Sequence, residues 1–411
     1  MKRKVKKYKL AAAAAAFLVT AVTACLVFYY STQHSLALNG DQEITIGLYG
    51  VYEEKGARAS LGGKDASDQV KTEGEVDSSK PGEYIIKYSI EGMSLERKVT
   101  VLDKMNPEIT LKGEEEMTMK LGERFSEPGW EARDSSGRDI TAEVEVSDTD
   151  FKKAGEHFVE YTARDSSGNR TMIRRKVEVE PNPGLDSPGL PICMYHYVYN
   201  KEDPPEDLNK RYGNYISSAD LEEELKWLNE EGYYYPTWQE VRDYVDGKLI
   251  LPDKSIVLCF DDGALSFLEN GIPVLEAQKV PATCFMITSS DGENKVSKYR
   301  SSYVDYESHS HNMHRAGGNI GHGGIFTAIS REEGLADLKE SIRICGSGDA
   351  FAYPFGDYND SSRSMVEEAG FLCAVTTQYG KAEPGDDPLL LPRVRMVMGQ
   401  SLEKFKSAVE P

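Results

Sequence analysis

The segment SIVLCFDDGALSF, residues 255–267, decides the fold of the C-terminal half of the chain. It begins with a short continuous run of apolar residues, which is typical of a strand buried on both faces of a parallel sheet. The run ends in two carboxylates, Asp261 and Asp262, and a glycine. In parallel α/β barrels the reactive side chains follow the carboxyl ends of the strands, so this segment predicts a functional site. An Asp-Asp-Gly turn without function is the alternative.

The sequence around this segment alternates between strand-like and helix-like stretches. Apolar strand patterns occur at residues 191–198, 281–288 and 371–377, and helix patterns occur at residues 218–233, 272–280 and 331–346. This alternation predicts an α/β domain with parallel strands, which we assign to residues 190–411. The predicted strand ends bring together His196, the Asp261–Asp262 pair and the Pro354–Phe355 turn.

Histidines form a second candidate cluster. The stretch DYESHSHNMHRAGG, residues 305–318, holds three of the seven histidines of the chain, His309, His311 and His314. One carboxylate and two imidazoles form a three-ligand set that leaves positions open for water and substrate, as a catalytic divalent metal requires. The second aspartate then stays free to act as a base. A hydrated polar turn is the alternative.

These motifs together resemble the polysaccharide deacetylase (NodB-homology) family over about residues 190–400. The resemblance rests on FDDG at 260–263, on the His-Ser-His cluster and on YPFG at 353–356. It implies a distorted (β/α)7 barrel and a metal-dependent carbohydrate esterase. The five-residue spacing of His309 and His314, MYHYV at 194–198 and LLLPRVRM at 389–396 resemble the branch that acts on poly-β-1,6-N-acetylglucosamine.

The resemblance also implies roles for single residues. They are the general base Asp261, the metal ligands Asp262, His309 and His314, and Phe355, whose backbone N–H holds the oxyanion. His311 is left without a ligand role. Zinc is the default metal for two imidazoles and one carboxylate, with iron, cobalt and nickel as alternatives. Substrate contacts are predicted for Tyr195, Tyr353 and Pro354. Aromatic rings pack on sugar faces, and those predicted to flank the cleft are Tyr195, Tyr197, Tyr233, Tyr234, Tyr235 and Trp238.

The chain departs from the family pattern in two places that bear on catalysis. Ala352 stands where the family has an arginine that orients the base, and Arg393 or Arg395 is the predicted replacement. No late histidine follows as general acid, so we predict that role for His196, with a satisfied core histidine as the alternative. His322 lies in the Gly-rich stretch 316–324, which we expect to be a mobile loop, and a substrate contact by His322 is the alternative to a loop residue without function.

Residues 41–181 read as two copies of one β-rich unit, at 41–103 and 106–181. Both copies combine polar turns with strands that alternate between apolar and polar residues, which predicts two all-β sandwiches. The second copy resembles bacterial Ig-like domains, and the first matches that pattern more loosely. Neither contains a residue cluster that suggests chemistry, so we interpret them as spacers, with adhesion or glycan binding as the alternative. The stretch PNPGLDSPG, residues 181–189, is predicted to be a linker.

Residues 1–35 are predicted to form a cytoplasmic basic tail and a transmembrane anchor. The first nine residues carry six Lys or Arg, and residues 10–30 are an uncharged run of 21. A helix needs about 20 apolar residues to cross a bilayer, and the basic flank predicts a cytoplasmic N-terminus. The expected location is therefore the cell membrane, single-pass, with the catalytic domain outside. A cleaved signal peptide is the alternative.

The net charge limits the kinds of binding partner, and the spacing of the cysteines indicates whether they form disulfides. The chain carries a net charge of −20, so residues 31–411 carry −26 once the six basic residues of the tail are left out. Such a body repels nucleic acid and fits a neutral or cationic polymer. Five cysteines follow the apolar run, widely spaced, and we predict buried free thiols. A Cys345–Cys373 bridge is left open.

The predicted function is that of a metal-dependent polysaccharide deacetylase. It would remove N-acetyl groups from N-acetylglucosamine units of a cell-wall or surface glycan, either peptidoglycan or poly-N-acetylglucosamine. Three alternatives remain at this point: a catalytically inactive glycan-binding relative, an O-deacetylase of the acetyl-xylan type, and a structural surface protein whose function lies in the Ig-like repeats. The last leaves the Asp-Asp and histidine clusters without an explanation.

Overall fold

The computed structural model describes the backbone of residues 2–411 and the side chains of residues 15–29, 33–211 and 213–411. Helix α1 spans Lys2–Gln33. Across the described residues, no helix combines the length and the apolar character needed to cross a membrane. The predicted transmembrane anchor at 1–35 and single-pass membrane location are therefore wrong. Of the uncharged run at residues 10–30, the structure describes the side chains of residues 15–29 only. That is fewer than the roughly 20 apolar residues that a membrane-spanning helix needs, and the other residues of the run lie outside the described side chains.

The first β-sandwich begins directly after α1. Its strands are β1 Ser35–Leu38, β2 Glu43–Gly47, β3 Ala57–Leu61, β4 Lys64–Asp65, β5 Lys71–Glu73, β6 Gly82–Ile90 and β7 Met93–Leu102. They form two sheets, β1-β3-β4 and β2-β7-β6-β5. The long hairpin β6–β7 turns at Glu91 and Gly92, which both have positive φ, as a two-residue type I′ turn requires. Its inward residues Tyr88 and Val99 are fully buried.

A buried arginine cluster ties the first sandwich together, and the sequence analysis missed it. Arg97 of β7 is fully buried. Its guanidinium donates to Glu54 Oε1 at 2.9 Å, to the Tyr88 hydroxyl at 2.8 Å and to the Asp41 carbonyl at 3.0 Å. The Tyr88 hydroxyl in turn donates to Glu54. These bonds join two strands of one sheet to the loops that precede β2 and β3.

The second sandwich repeats the same arrangement with different residues. Arg175 is fully buried and donates to the Tyr161 hydroxyl at 3.2 Å and to Glu127 Oε1 at 3.1 Å. The Tyr161 hydroxyl donates to Glu127. A buried arginine and tyrosine bonded to a more exposed glutamate therefore recur in both copies, which supports the internal repeat read from the sequence.

We expect Arg97→Met to lower the free energy of unfolding of the first sandwich by roughly 2 kcal/mol, because the Tyr88 hydroxyl and Glu54 lose a charged hydrogen-bond donor and such a bond contributes about 1.5–3 kcal/mol. The lower end applies since Glu54 keeps 35% of its side-chain exposure. Hydrogen exchange of β6 and β7 amides in the full chain measures the effect. Arg58→Met, at an exposed position of β3, is the matched control. Equal protection in both variants would contradict the assignment.

The second sandwich contains six strands. They are β8 Glu108–Leu111, β9 Glu116–Lys120, β10 Trp130–Arg133, β11 Glu145–Val146, β12 Gly155–Arg164 and β13 Arg170–Glu180. The chain forms two compact units, and the division runs through this sandwich. Most of its strands belong with the first sandwich, whereas β9, residues 148–158 and the end of β13 belong with the C-terminal domain. Within that second unit, β9 pairs in parallel with residues 176–180.

The C-terminal domain is a closed barrel of seven parallel strands. The described backbone of the domain contains nine strands, seven in the barrel and two beside it. They are β14 Ile192–Tyr195, β15 Tyr197–Tyr199, β16 Tyr215–Ser217, β17 Val257–Phe260, β18 Ala282–Met286, β19 Val304–Ser308, β20 Ala350–Ala352, β21 Cys373–Tyr379 and β22 Leu391–Arg395. The barrel order is β14-β17-β18-β19-β20-β21-β22. Strands β15 and β16 form a separate parallel pair beside it. This is the seven-stranded barrel that the resemblance implied, and its register shifts between Val375 and Tyr379.

The helices of this domain are α2 Ser218–Glu230, α3 Trp238–Val245, α4 Leu265–Asn270, α5 Ile272–Gln278, α6 Gly292–Lys298, α7 Arg331–Cys345, α8 Asp360–Ala369 and α9 Leu402–Val409. Side-chain caps fix several of their starts, as for Ser217 at α2 and Thr237 at α3. The buried free thiols predicted from the sequence are present in the barrel strands and in α7, with no Cys345–Cys373 bridge.

Candidate active site

The carboxyl ends of the barrel strands open into one cleft of about 350 Å³. Asp261 and Asp262 follow β17, His196 follows β14, and His309 follows β19. Phe355 lies in the one-turn 3-10 helix Pro354–Gly356, just beyond β20. Because parallel strands all point the same way, segments far apart in sequence meet at this edge. The residues predicted from separate motifs thus line a single cleft.

Asp261 is held by a buried arginine. Arg393 of β22 donates from Nη1 to Asp261 Oδ1 and from Nη2 to Oδ2, both at 2.8 Å. Its Nε–H donates to the Thr376 carbonyl at 2.8 Å. Burial alone raises the pKa of Asp261, but the charge and hydrogen bonds of Arg393 outweigh it and hold that pKa well below its usual range. The carboxylate is therefore ionised and fixed in orientation at neutral pH.

The sequence analysis named two arginines as possible replacements for the missing family arginine, and the structure shows that only one of them contacts Asp261. Arg393 is fully buried against Asp261. Arg395 is exposed and donates from Nη2 to Asn214 Oδ1 at 2.6 Å. Ala352, at the family position, is buried in the core, and its carbonyl accepts a hydrogen bond from His309.

Asp262, His309 and His314 form a compact group of possible metal ligands. Asp262 Oδ1 lies 3.6 Å from His309 Nε2 and 3.7 Å from His314 Nε2. The ligand atoms all lie within 4.8 Å of one another. Asp262 reaches this position with a φ of +72°. Gly263, also at positive φ, allows the turn because a Cβ there would meet Met286 Sδ at 2.2 Å.

Each imidazole turns its Nε2 atom toward Asp262. His309 Nδ1 lies 2.7 Å from the Ala352 carbonyl, which only accepts, so Nδ1 donates to it and Nε2 is the nitrogen that faces Asp262. Burial has the largest effect on the pKa of His314 and the neighbouring His309 the second largest, and together they lower that pKa to about 4. Neutral imidazole is the ligand form. One carboxylate and two imidazoles fit a divalent cation, and they do not decide which one.

Comparison with known proteins decides the family. The model described as Polysaccharide deacetylase matches residues 248–374, which contain the Asp-Asp pair and the histidine cluster. Residues 248–374 therefore carry a polysaccharide deacetylase domain. The model described as Bacterial surface protein, Ig-like domain, matches residues 36–101 and 109–179. The protein is thus a hydrolase of carbon–nitrogen bonds other than peptide bonds, a polysaccharide N-deacetylase that carries Ig-like domains.

Several relatives of this deacetylase have named activities. A poly-β-1,6-N-acetyl-D-glucosamine N-deacetylase of Staphylococcus epidermidis is 28% identical over 245 residues, 54% of this chain and 81% of that protein. The Staphylococcus aureus protein of the same name is 27% identical over 204 residues, 45% of this chain and 69% of that protein. A solved Streptococcus pyogenes deacetylase, PplD in complex with acetate, aligns with a TM-score of 0.48 and 21% identity, over 55% of this chain and 100% of that one.

His311 lies in the histidine loop of the deacetylase but outside the ligand group. Its Nδ1 lies 2.9 Å from Thr288 Oγ1. Asp337 of α7 accepts from the backbone N–H groups of His311 and Asn312 at 2.6 and 2.7 Å. Asp337, which the sequence analysis did not single out, therefore fixes the loop that carries His309 and His314. An acidic residue on a helix face offers no sequence signal for that contact.

His196 lines the cleft beside both aspartates. Burial lowers its pKa, while the charges of Asp261 and Asp262 oppose that effect. The resting imidazole is therefore mainly neutral at neutral pH. Its neighbour Tyr195 does not reach the cleft, contrary to the predicted substrate contact. Tyr195 stacks on Phe260 at 5.0 Å and donates to Glu224 Oε2 at 2.7 Å, so it is a core residue.

The other predicted substrate contacts are largely core as well. Tyr353 lines the cleft, but its side chain is fully buried against Phe326, Phe351 and Tyr358. Pro354 is buried at the start of its turn. Among the flanking aromatic residues, Tyr197 lines the cleft. Tyr235 and Trp238 instead line a separate cavity of about 450 Å³ at the amino ends of the strands.

The Gly-rich stretch 316–324 is pinned, where we expected mobility. Buried Asp357 accepts from the backbone N–H groups of His322 and Gly324, both at 2.9 Å, and its Oδ1 lies 3.3 Å from His322 Nδ1. A Cβ on Gly321 would lie 1.9 Å from Asp357 Oδ1, so glycine permits this close approach. The pinned loop leaves the His322 ring mostly exposed at the cleft.

Proposed function

We propose that this deacetylase removes N-acetyl groups from a β-1,6-linked N-acetylglucosamine polymer and that it does so with a divalent metal. The observation that supports this most is the juxtaposition of two differently held aspartates. Asp261 is bound by Arg393 on both oxygens, whereas Asp262 faces two imidazole nitrogens. The relatives named for poly-β-1,6-N-acetyl-D-glucosamine support the choice of polymer.

Asp262, His309 and His314 would hold the metal, with zinc as the default for this donor set. A bound divalent cation supplies Lewis-acid chemistry, since it polarises the acetamide carbonyl and makes water more acidic. Asp261 is the general base that takes a proton from the attacking water. Arg393 keeps its carboxylate ionised and aimed at the cleft. We assign Arg393 as a positioning residue for this base.

The remaining groups act on the oxyanion and the leaving amine. The backbone N–H of Phe355 is proposed to donate to the oxyanion as the water oxygen bonds to the acetamide carbon. The carbon–nitrogen bond then breaks, acetate leaves and the sugar nitrogen gains a proton. His196 is the proposed donor of that proton. Because burial lowers its pKa, His196 has to gain a proton during the reaction before it donates one.

Acetate release from defined oligosaccharides tests the proposed function. The full chain is incubated with β-1,6-linked and β-1,4-linked N-acetylglucosamine oligomers, and free acetate and free amine are both counted. We expect equal amounts of the two products, with a preference for the β-1,6 linkage and loss of turnover after chelation. A preference for β-1,4 oligomers would move the substrate to peptidoglycan-like glycans. No release from either set would overturn the proposal.

The ligand assignment gives a second expected result. His314→Ala removes one of three ligands, so we expect metal content below 0.1 per chain and an activity loss of about 10²-fold or more. His311→Ala is the matched control, since His311 lies in the same loop but bonds to Thr288. It should keep both metal and activity. Metal analysis after gel filtration measures the difference, and equal metal content in the two variants would contradict the assignment.

A further inference from the structure

The two oxygens of Asp262 have different partners. Oδ1 faces the Nε2 atoms of His309 and His314. Oδ2 accepts a hydrogen bond from the Tyr197 hydroxyl at 2.8 Å. Tyr197 lies on β15, outside the barrel strands, and lines the same cleft. One oxygen is therefore free for a metal while the other is already engaged.

The Tyr197 hydroxyl can point its proton only one way. Arg211 Nη1 donates to the hydroxyl oxygen at 2.7 Å. A guanidinium has donors and no acceptor, so the single proton of the hydroxyl goes to Asp262. The Arg211 guanidinium also lies over the Tyr197 ring, 5.4 Å from its centroid. This contact and the hydrogen bond fix the ring and the hydroxyl together.

Arg211 is held in turn by the segment that leads into β16. Its Nε lies 3.3 Å from Asp207 Oδ2, and Asp207 Oδ1 accepts from the Tyr215 hydroxyl at 2.9 Å. Tyr215 is the parallel-strand partner of Tyr197, and their rings pack at 5.0 Å. Asp207, Arg211 and Tyr215 thus support Tyr197, whose hydroxyl bonds to one oxygen of Asp262.

We propose that Tyr197, fixed by Arg211, is a positioning residue that makes Asp262 a one-oxygen metal ligand. By occupying Oδ2 it leaves Oδ1 alone to coordinate, which raises metal affinity and keeps a coordination position open for substrate. Hydrogen-bond partners of metal ligands typically contribute 10–100-fold in metal affinity. This inference rests on the proposed function only in that the site binds a metal.

Zinc affinity tests the inference without any turnover. The full chain, stripped of metal, competes for zinc with a chromophoric chelator. We expect Tyr197→Phe to weaken zinc binding about 10-fold or more and Arg211→Gln to weaken it in the same direction by less. Tyr199→Phe is the matched control on the same strand, because its hydroxyl makes no hydrogen bond in the described part of the chain. It should bind zinc as the parent does.

The outcomes separate this inference from the proposed function. If the parent chain binds neither zinc nor another divalent cation, both the proposed metal dependence and this inference are wrong. A parent that binds zinc, with Tyr197→Phe binding equally tightly, would overturn the inference alone. Thermal unfolding of the stripped variants serves as the folding control. If Tyr197→Phe fails to fold, Arg211→Gln tests the inference in its place, because Arg211 is an exposed residue and its replacement leaves the core intact. The inference then requires that Arg211→Gln bind zinc more weakly than the parent.

Discussion

Asp261→Asn should lower kcat/KM for acetate release by about 10²–10⁴-fold, the range that a general base contributes, while the metal content stays that of the parent. Asparagine keeps the size of the side chain but has no basic oxygen. It also keeps one acceptor for the Arg393 guanidinium. Steady-state kinetics with N-acetylglucosamine oligomers and metal analysis of the same sample give both numbers.

The neighbouring variant supplies the control for this result. Asp262→Asn should lose metal as well as activity, because Asp262 and not Asp261 faces the imidazole nitrogens. Two adjacent carboxylates then give two different phenotypes. If Asp261→Asn lost its metal, Asp261 would be a ligand, and the division of roles between the pair would be wrong.

Arg393→Met should have the largest effect on stability. Arg393 and Asp261 keep 1% and 3% of their side-chain exposure, and removing one partner of such a pair costs about 3–5 kcal/mol. The loss should depend on pH. In the parent, Asp261 has a lowered pKa, so its contribution is present above the pKa of the unfolded chain, about 3.9, and is lost as pH falls below that value.

In Arg393→Met, burial acts on Asp261 without the opposing arginine and raises its pKa. The stability difference between parent and variant should therefore shrink as pH falls from 7 toward 4, and the acid limb of the pH–rate profile should move to higher pH. Urea unfolding at several pH values measures the first effect. Arg395→Met, two residues along the same strand, is the control and should leave the acid limb in place. An unmoved limb in Arg393→Met would contradict the positioning role.

The parallel strands and the paired aspartates were accessible from sequence because both are local signals, whereas the seven-stranded barrel was implied by the family resemblance. A short apolar run ending in carboxylates marks a buried strand and its reactive end. The histidine loop is local too, since His309 and His314 are five residues apart. The Arg393–Asp261 contact spans 132 residues. Arg393 and Arg395 share one face of β22, so alternation does not separate them. Their different positions along the strand distinguish them, since Arg393 meets Asp261 and Arg395 meets Asn214.

What the sequence missed lies in contacts between distant, ordinary-looking residues. Tyr195 and Tyr197 flank His196 in MYHYV, yet one packs on Phe260 and the other reaches Asp262. Asp337 and Asp357 read as surface acids, although they fix the histidine loop and the Gly-rich loop. Backbone donors in a distant loop leave no pattern in the sequence of the residue that accepts from them. Only the assembled fold identifies such partners.

The central claim is that Asp262 holds the metal while Asp261 stays free as the base. Anomalous diffraction from a zinc-loaded crystal, collected on both sides of the zinc absorption edge, tests it most directly. We predict one zinc bound by Asp262 Oδ1, His309 Nε2 and His314 Nε2, with Asp261 still paired to Arg393 and Tyr197 still bonded to Asp262 Oδ2. A zinc ion coordinated by Asp261, or bound away from the two histidines, would contradict the account.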